Sequence, residues 1–311
     1  MSDSSQPGPP RIQIQTQSGC NARCVFCPNE AVLRSDLSQG RMPPEQFQRM
    51  IDELALTRPR RVSLYLQNEP LLDSRLPEFT AYVAERIPKT STLVTSNGTH
   101  LREDVGAKLI DAGLKRLKVS IQSLRREVNM DIMGKTCDSD RVVANVLAMR
   151  KVIKEKRAKH FDLRVSTVVT NMNADEMDEM RKFWKSHGVR LVTSALENRG
   201  GNIDGALYMN PGEMAVREDC IRPSREMCVL YNGDAVLCCV DWLRVEVAGD
   251  VFESGVRDVW NGPHLGDIRR ALKAGDTKAM PGICVDCAES ACPANHRRGL
   301  KELLKRALAG A

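Results

Sequence analysis

Six short segments of the first 195 residues are rich in β-branched residues, beginning with the alternating Ile12, Ile14 and Thr16, and most of these segments are followed by a stretch with helical spacing. The stretch after Pro43 is one example, because Phe47, Met50 and Leu54 recur three and four residues apart. Period-two alternation predicts a half-buried strand, and spacing of three and four predicts an amphipathic helix. The predicted strands lie at residues 12–16, 61–66, 91–95, 115–123, 161–169 and 188–195.

The order of these segments predicts how the strands pair. Two parallel strands in one sheet need a crossover, usually a helix, so six strand–helix units predict a parallel sheet. A closed eight-unit barrel takes ~250 residues. We therefore expect an α/β fold in which residues 11–209 form an open, partial (βα)6 TIM-like barrel. Ahead of the sixth strand, Asn173 and Glu176 have capping-box spacing, which predicts side-chain caps on the helix that follows.

The loops after the predicted strands carry most of the candidate chemistry. In parallel α/β folds, ligands gather at the carboxyl ends of the strands. We therefore expect five loops to line one site. These loops are GCNARCVFCPN (19–29), QNEP (67–70), SNGT (96–99), SIQS (120–123) and ENRGGN (197–202).

The pattern changes after about residue 210. The segment MCVLYNGDAVLCCVDW (227–242) predicts a hairpin around Asn232 and Gly233. Residues 297–308 have the pattern of a basic amphipathic helix, which would dock on the fold or bind an acidic protein. Because seven of the eleven cysteines lie from Cys220 onward, we expect a small cysteine-rich domain over residues 210–311. Residues 1–10 are predicted to form a disordered leader.

Composition and charge indicate which partners and which cellular compartment to expect. The 311-residue chain has a net charge of +6 that is spread along the sequence, which gives no reason to expect nucleic acid as a partner. Its start lacks the basic and apolar regions of a signal peptide, and no window approaches the ~20 apolar residues that span a bilayer. We therefore expect a cytoplasmic protein without a membrane partner. In that reducing compartment, clustered cysteines bind metal or take part in chemistry.

Cys20, Cys24 and Cys27 form the most informative motif. Iron–sulfur clusters are held by Cys thiolates, normally four for a [4Fe–4S] cluster, so three thiols in one loop leave one iron open. A zinc knuckle and incidental buried cysteines are the alternatives. Zinc sites of this kind need a fourth Cys or His nearby, and the five histidines all lie far from the loop in sequence.

A CxxxCxxC loop directly after the first strand of a partial barrel resembles the signature of the radical S-adenosylmethionine (SAM) enzymes. The resemblance spans residue 12 to about 195. It implies that the open iron binds the amino and carboxylate groups of SAM, and that reduction by a flavodoxin- or ferredoxin-type partner releases a 5′-deoxyadenosyl radical. Glu69 and Pro70 match the family's GGEP cofactor motif, in which Gln67 and Asn68 replace both glycines.

Further polar residues are candidates by the same resemblance. Asn97, Ser120 and Gln122 are candidate SAM contacts, with Ser120 and Gln122 on one face of the fourth strand. Their alternatives are a turn residue for Asn97 and ordinary polar strand residues for the other two. Arg199, beside Gly200 at the mouth of the barrel, either binds a carboxylate of the substrate or cofactor or is a surface arginine.

The C-terminal cysteines resemble the SPASM and twitch extensions of radical SAM enzymes. The spacing from Cys220 through Gly233 to Cys238 fits the SPASM pattern, and the shortened second half fits a twitch domain. The resemblance implies one auxiliary [4Fe–4S] cluster, whereas a Cys₄ zinc ribbon is the alternative. Its implied ligands are Cys220, Cys238, Cys284 and Cys287. Three cysteines stay unassigned, and any of them could donate a hydrogen atom: Cys228, Cys239 and Cys292.

Four functions remain open. The first is a dehydrogenase that oxidises an alcohol of a sugar or aminocyclitol, with the auxiliary cluster as electron acceptor, as in a twitch-bearing relative from aminoglycoside biosynthesis. The second is an epimerase that uses a cysteine as hydrogen donor. The third modifies a ribosomal peptide, and the fourth is a non-catalytic zinc-binding adaptor. We favour the dehydrogenase, with Arg199 and Cys239 as candidate catalytic residues. Because Cys239 follows the proposed ligand Cys238 on a predicted strand, its side chain should point to the opposite face of that strand.

Overall fold

A nine-stranded sheet forms the centre of the computed structural model, which describes residues 7–203, 209, 220–285 and 287. The strands are β1 (Arg11–Ile14), β2 (Arg61–Ser63), β3 (Ser91–Ser96), β4 (Arg116–Ser120), β5 (Asp162–Val169), β6 (Arg190–Ala195), β7 (Glu226–Val229), β8 (Asp234–Val236) and β9 (Val247–Asp250). Their order in the sheet is β6-β5-β4-β3-β2-β1-β7-β8-β9. Neighbours from β6 to β7 pair in parallel, and β8 and β9 are added antiparallel.

Helices connect the parallel strands and cover the sheet. They are α1 (Asn29–Arg34), α2 (Pro44–Thr57), α3 (Leu76–Arg86), α4 (Glu103–Asp111), α5 (Arg126–Met133), α6 (Ser139–Glu155), α7 (Met177–Ser186), α8 (Arg222–Arg225), α9 (Val251–Ser254), α10 (Val256–Asn261), α11 (Pro263–Ala274) and α12 (Gly282–Val285). None of the described helices is both long and apolar enough to cross a bilayer. The α/β class and the open, partial barrel are thereby confirmed, because the first six strands are parallel and the sheet does not close on itself.

Two of the six predicted strands, the second and the fourth, end three residues earlier than expected, and side chains explain both ends. The prediction for residues 61–66 was too long, because the Leu66 N–H donates to the Asn68 side chain (3.0 Å) instead of to a neighbouring strand. The fourth strand ends at Ser120 because the next free N–H groups, those of Gln122 and Ser123, donate to the Asn129 side chain at 2.8 and 3.2 Å. Side-chain acceptors thus end both strands where the candidate loops begin.

The predicted capping box was wrong. Asn173 precedes a 3₁₀ turn and makes no side-chain cap; its amide instead donates to the Gln122 and Val168 carbonyls at 2.7 and 3.0 Å. The Glu176 carboxylate accepts from the Ser123 hydroxyl and from the Leu124 N–H. Both side chains therefore hold the loop after β4 against the end of β5.

The cysteine-rich region continues the barrel sheet, which the sequence did not predict. The predicted hairpin is present as β7 and β8, and Gly233 in its turn has φ +97°. However, β7 pairs in parallel with β1, from Arg11 opposite Glu226 to Ile14 opposite Val229. The predicted boundary at residue 210, the helix at 297–308, Cys292 and residues 1–6 of the leader lie outside the described residues.

The main core lies between the parallel strands and the helices that connect them. Ile12, Val62 and Leu117 are fully buried on the helix side of their strands, and Phe47 of α2 stacks on Phe79 of α3 with ring centroids 4.3 Å apart. Trp184 of α7 is also fully buried in this core. The core therefore fixes the strand ends from which the candidate loops leave.

Replacing Phe47 with alanine should destabilise the fold. Phe47 is 0% exposed, and Phe→Ala changes in cores cost about 3–5 kcal/mol. The free energy of unfolding from urea titration would measure the loss. Leu56→Ala on the same helix, where the side chain is 71% exposed, should change it by less than about 0.5 kcal/mol. Equal effects of the two substitutions would contradict the packing described.

Candidate active site between two cysteine groups

The three-cysteine loop leaves β1 and rests on the end of α5. The Arg23 and Val25 N–H groups donate to the Met133 and Ile132 carbonyls, both at 2.9 Å. Gly134, with φ +90°, ends α5 beneath the loop, and a Cβ at this position would lie 3.0 Å from the Arg23 backbone nitrogen. A glycine is therefore required where the loop crosses the helix end.

The three cysteines are half-buried and close to one another. Burial raises the pKa of the Cys20 thiol to about 12. Burial also raises the pKa of Cys24 well above its usual range, and the neighbouring Cys27 and Cys20 thiolates raise it further. Three such thiols ionise together only if a cation compensates their repulsion, and a coordinated metal does this.

The surroundings of the Cys20 sulfur fit an iron–sulfur ligand. The sulfur accepts from the Ala22 N–H at 3.4 Å and from the Asn97 side-chain amide at 3.9 Å, and such hydrogen bonds tune cluster sulfurs. No group of three or more His, Cys, Asp or Glu side chains among the described residues is arranged to hold a single metal ion. The thiol donor set and its N–H donors thus suit a cluster held by Cys20, Cys24 and Cys27.

Glu69 holds the second candidate loop in place. The carboxylate accepts hydrogen bonds from the Ser96 hydroxyl (2.7 Å), the Asn97 N–H (2.6 Å) and the Leu71 N–H (3.0 Å). The side chain is 1% exposed, and this burial raises the pKa of Glu69 to about 7, while the hydrogen bonds oppose the rise. The Glu69 N–H donates to the Gly19 carbonyl (2.9 Å), so the loop is also tied to the cysteine loop.

The two residues that replace the family glycines keep the loop in a tight turn. Gln67 has φ +52°, in the left-handed region that a glycine adopts without strain. Its side-chain amide donates to the Asp241 carbonyl (2.9 Å) and the Cys239 carbonyl (3.5 Å). Asn68 forms a parallel bridge with Gly19. Gln67 therefore links this loop to the turn that carries the C-terminal cysteines.

The remaining predicted SAM contacts lie at neighbouring strand ends. Asn97 donates to the Asn21 side chain (2.8 Å) and accepts from the Thr99 N–H (3.0 Å), which connects β3 to the cysteine loop. Ser120 and Ser166 lie on the same face, with their hydroxyl oxygens 3.5 Å apart. Gln122 lies beyond the end of β4, and its side-chain oxygen accepts from the Val168 N–H at 2.8 Å.

Four C-terminal cysteines are the candidate ligands of the auxiliary cluster. Cys220, Cys284 and Cys287 are 8%, 7% and 9% exposed. Burial raises the pKa of Cys238 well above its usual range, and the nearby Cys239 and Cys220 thiolates raise it further. Cys238 and Cys220 are therefore neighbours, as two ligands of one cluster must be.

Cys239 packs against a small apolar cluster, within electrostatic reach of several charged residues. Cys239 is in a turn after β8 and not on a strand, so the strand argument for its direction does not apply. Burial raises the pKa of the Cys239 thiol, and Arg222 opposes this effect; Glu226, Glu197 and Arg199 also act on the thiol. The thiol packs beside Cys228 in a small apolar cluster with Leu66.

A group of ion pairs lies within electrostatic reach of Cys27 and of Cys239. Glu197 is 6% exposed. Its carboxylate pairs with Arg222 (Nη2 to Oε1, 2.6 Å) and with Arg199 (Nη1 to Oε2, 3.4 Å). Burial raises the pKa of Cys27 and of Cys239, and the Arg199 guanidinium partly opposes this rise at both thiols. Arg199 therefore lies within electrostatic reach of both cysteine groups.

Sequence reasoning missed several members of this site. Glu197 precedes Arg199 by two residues, so an acidic residue beside the candidate arginine was the available signal. Arg222 follows Cys220 by two residues, but nothing in the sequence pairs it with Glu197. Cys137 is fully buried, and it raises the pKa of Cys20 and Cys24 by less than burial and the nearer groups do. Because Cys137 stands alone, 110 residues after Cys27, the sequence does not indicate that it lies near the cysteine loop.

Comparison with known families agrees with this geometry. The model of the radical SAM superfamily matches residues 14–184, which is more than half of the chain. The chain belongs to the radical SAM superfamily. The model of the SPASM iron–sulfur cluster-binding domain matches residues 220–288. Both resemblances found in the sequence are thereby confirmed.

Two curated relatives illustrate the range of the family. The SAM-dependent 2-deoxy-scyllo-inosamine dehydrogenase of Niallia circulans is 23% identical over 277 residues, which cover 89% of this chain and 91% of the relative. The GTP 3′,8-cyclase of Aquifex aeolicus is 29% identical over 188 residues, and the match covers 58% of this chain and 54% of the cyclase. The first similarity therefore extends through the C-terminal region, and the second covers about half of each protein.

Solved structures share the fold of this radical SAM protein. BtrN in complex with AdoMet and 2-DOIA superposes with a TM-score of 0.62 at 22% identity, over 90% of this chain and 93% of BtrN. SuiB of Streptococcus suis, bound to its precursor peptide SuiA, gives a TM-score of 0.66 at 18% identity, over 84% of this chain and 67% of SuiB. One architecture thus occurs with a small-molecule complex and with a peptide complex.

Membership of the superfamily defines the chemistry of the first site. The chain is a radical SAM enzyme that uses SAM and a [4Fe–4S] cluster. It is an oxidoreductase with a dehydrogenase among its relatives. The SPASM match adds an auxiliary iron–sulfur cluster. The neighbouring Cys20, Cys24 and Cys27 thiols fit the first cluster, and Cys220 and Cys238 are neighbours, as two ligands of the second must be. The zinc-adaptor interpretation is therefore wrong.

Iron content should separate the two clusters. After anaerobic reconstitution, the intact protein should hold about eight irons and eight acid-labile sulfides, because two [4Fe–4S] clusters contain four each. The triple variant Cys20→Ala, Cys24→Ala, Cys27→Ala should retain about four. A variant that holds no iron would show that Cys220, Cys238, Cys284 and Cys287 do not bind an independent cluster.

Replacing Glu69 with glutamine should weaken SAM binding. The amide presents an N–H group where the carboxylate accepts three hydrogen bonds, and an unsatisfied buried donor costs about 1–3 kcal/mol. Because this cost would destabilise the loop proposed to bind the cofactor, the affinity of the protein for SAM should drop roughly tenfold. Equilibrium dialysis of the reconstituted protein with SAM would measure it. Glu78→Gln, at an exposed position on α3, is the control, and unchanged affinity in Glu69→Gln would remove Glu69 from the cofactor site.

Proposed function

We propose that this radical SAM enzyme is a dehydrogenase that oxidises an alcohol of a small polar substrate, a sugar or an aminocyclitol. The observation that carries the proposal is the position of Arg199, within electrostatic reach of both Cys27 and Cys239. A substrate beside Arg199 would lie between the two cysteine groups. The similarity to a 2-deoxy-scyllo-inosamine dehydrogenase along nine-tenths of both chains supports the same reaction class.

The two cysteine groups would hold the metal cofactors. When bound, the cofactors would supply a radical that removes a hydrogen atom from the alcohol carbon and an acceptor for the electron that is then released, and the hydroxyl proton would pass to water in the site. The ligands proposed for the first cluster are Cys20, Cys24 and Cys27, and those for the auxiliary cluster are Cys220, Cys238, Cys284 and Cys287. Glu69, Asn97, Ser120 and Gln122 are proposed to line the SAM site.

Arg199 is proposed to hold the substrate. Its forked guanidinium can donate two hydrogen bonds to one oxygen-rich group, and it is 29% exposed, so part of it is accessible. Glu197 is proposed as its positioning residue. Because a carboxylate paired with two guanidinium groups is stabilised in its charged form, Glu197 orients Arg199 and does not act as the proton acceptor.

An epimerase remains the second candidate, because Cys239 meets one of its requirements. Burial raises the pKa of the Cys239 thiol, which keeps the S–H bond that a hydrogen donor needs. The thiol also lies within electrostatic reach of Arg199 and Glu197. Under this proposal Cys239 would return a hydrogen atom to the opposite face of the substrate carbon.

The remaining partners are proposed from the resemblance and the composition. A flavodoxin- or ferredoxin-type protein would supply the electron that starts the reaction, and the enzyme would work in the cytoplasm without nucleic acid or a membrane. A peptide substrate is the alternative to a small molecule, and the shared fold with SuiB keeps it open.

Isotope transfer should identify the reaction. With 2-deoxy-scyllo-inosamine deuterated at its alcohol carbons as probe, we expect deuterium in 5′-deoxyadenosine and a ketone product, both measured by mass spectrometry. Arg199→Leu should lower this transfer by roughly tenfold to a hundredfold, the value of a lost charge-assisted hydrogen bond. Arg181→Leu, at an exposed site on α7, should leave it unchanged.

The same experiment in D₂O tests the second candidate. An epimerase would place solvent deuterium on the substrate carbon, and Cys239→Ala would abolish this label. A dehydrogenase gives no such label and tolerates Cys239→Ala. Solvent deuterium at carbon without a ketone product would overturn the proposed dehydrogenation.

A further inference from the structure

The Asn97 side chain lies at the centre of a hydrogen-bond network at the end of β3. On the side of the cysteine loop, its nitrogen lies 2.8 Å from the Asn21 side-chain oxygen and 3.9 Å from the Cys20 sulfur. On the other side, its oxygen lies 3.0 Å from the Thr99 backbone nitrogen and 2.7 Å from the Thr99 hydroxyl. The amide thus connects the turn after β3 to a proposed cluster ligand.

The Thr99 backbone determines which way the Asn97 amide points. A backbone N–H can only donate, so the Asn97 atom that lies 3.0 Å from it must be the side-chain oxygen. The reversed amide would place two donors against each other. Because an amide nitrogen carries two hydrogens, one is directed to the Asn21 oxygen and the other remains for the Cys20 sulfur. The direction of this N–H group therefore follows from the fold of the turn.

The Thr99 hydroxyl closes the network into a ring. The Asn97 oxygen carries no hydrogen, so at 2.7 Å the hydroxyl donates to it. The hydroxyl oxygen then accepts from the Asn21 side-chain nitrogen at 2.9 Å and from the His100 Nδ1 at 3.0 Å. A hydroxyl offers one hydrogen and two lone pairs, and all three are used. Asn21, Asn97 and Thr99 therefore hold one another in a closed ring of hydrogen bonds.

The ring joins two candidate loops and is anchored on both of them. Asn21 belongs to the cysteine loop and Asn97 to the loop after β3, 76 residues away. The Thr136 hydroxyl donates to the Asn21 carbonyl (2.7 Å), and the Glu69 carboxylate accepts from the Asn97 N–H (2.6 Å). Asn97 and Thr99 are 6% and 8% exposed, and hydrogen bonds are electrostatically stronger away from water. The ring therefore keeps the second hydrogen of the Asn97 amide in one direction.

We propose that Asn21 and Thr99 are positioning residues that raise the reduction potential of the first cluster through the Asn97 amide. Reduction adds an electron to a cluster, so its ligand sulfurs become more negative and accept an N–H hydrogen bond more strongly. An amide held against Cys20 therefore favours the reduced form. The inference rests on Cys20 as a cluster ligand and does not depend on the reaction that the enzyme catalyses.

Redox titration of the reconstituted protein without SAM tests the role of the ring. The reduced first cluster would be followed by electron paramagnetic resonance. The signal of the triple variant Cys20→Ala, Cys24→Ala, Cys27→Ala, which should keep only the auxiliary cluster, would be subtracted. Asn97→Ala removes the donor to Cys20. We expect this variant to lower the equilibrium constant for reduction roughly tenfold, which corresponds to about 59 mV for one electron.

Thr99 offers a matched pair of variants. Thr99→Val keeps the branched side chain but removes the hydroxyl, which opens the ring while Asn97 itself is unchanged. This variant should lower the equilibrium constant for reduction roughly threefold, the value of a weak hydrogen bond. Thr99→Ser keeps the hydroxyl and should retain the potential of the intact protein. A potential that falls equally in both variants would show that the hydroxyl has no such role and would contradict the proposal.

Asn145 supplies the control for a displaced loop. Its side-chain amide donates to the Gly98 carbonyl at 2.9 Å, so it holds the same turn from α6. Among the described residues, no hydrogen bond joins Asn145 to the ring or to Cys20. Asn145→Ala should therefore leave the potential unchanged. Equal shifts in Asn145→Ala and Asn97→Ala would show that the position of the turn sets the potential, and would overturn the proposal.

Iron content shows whether a variant still holds the first cluster. Asn97→Ala and Thr99→Val should each bind about eight irons, as expected for two [4Fe–4S] clusters. Loss of about four irons from Thr99→Val would show that the ring is needed to hold the cluster and does not tune it. An unchanged potential in Asn97→Ala would also overturn the proposal. Because no substrate is present, a failed dehydrogenase assay would leave these results unaffected.

Discussion

The pairing of β1 with two parallel neighbours determines the rest of the site. β1 pairs with β2 on one side and with β7 on the other. The cysteine loop leaves the carboxyl end of β1, and the hairpin that leads to Cys238 continues from β7. Because backbone hydrogen bonds fix the register of both pairs, the two cysteine groups are held next to each other by the sheet itself.

Gln67 reinforces this arrangement from the side of β2. Its side-chain amide bonds the carbonyls of Cys239 and Asp241 in the turn that carries Cys238, and its left-handed backbone keeps the tight turn that a glycine would make. A glycine at this position could adopt the turn but could not bridge the two parts. The departure from the family motif therefore adds a link that the usual glycine cannot provide.

Local patterns predicted most of the fold, and long-range contacts account for what they missed. Short β-branched segments followed by helical spacing identified all six barrel strands. The capping-box prediction failed because Asn173 and Glu176 bond instead to the loop after β4, some fifty residues earlier in the chain. The parallel pairing of β7 with β1 joins residues more than two hundred positions apart, and no local signal specifies such a partner.

Local motifs likewise identified one part of the site, and long-range contacts account for the part that was missed. The cysteines and Glu69 stand in short motifs with fixed spacing, so sequence alone identified them. The ion pair between Glu197 and Arg222 joins two loops, and only the fold brings these side chains within 2.6 Å.

Burial has opposite consequences for the two kinds of cysteine in this enzyme. It raises the pKa of Cys20 to about 12 and also raises that of Cys239. A cysteine that ligates a cluster overcomes this cost because the iron stabilises the thiolate directly. Cys239, if it ligates no metal, keeps its proton and stays a weakly polar thiol beside Cys228. The same desolvation that makes the ligand cysteines dependent on metal therefore preserves the S–H bond of Cys239, within electrostatic reach of Arg199, and only the reaction on the substrate decides whether that bond is used.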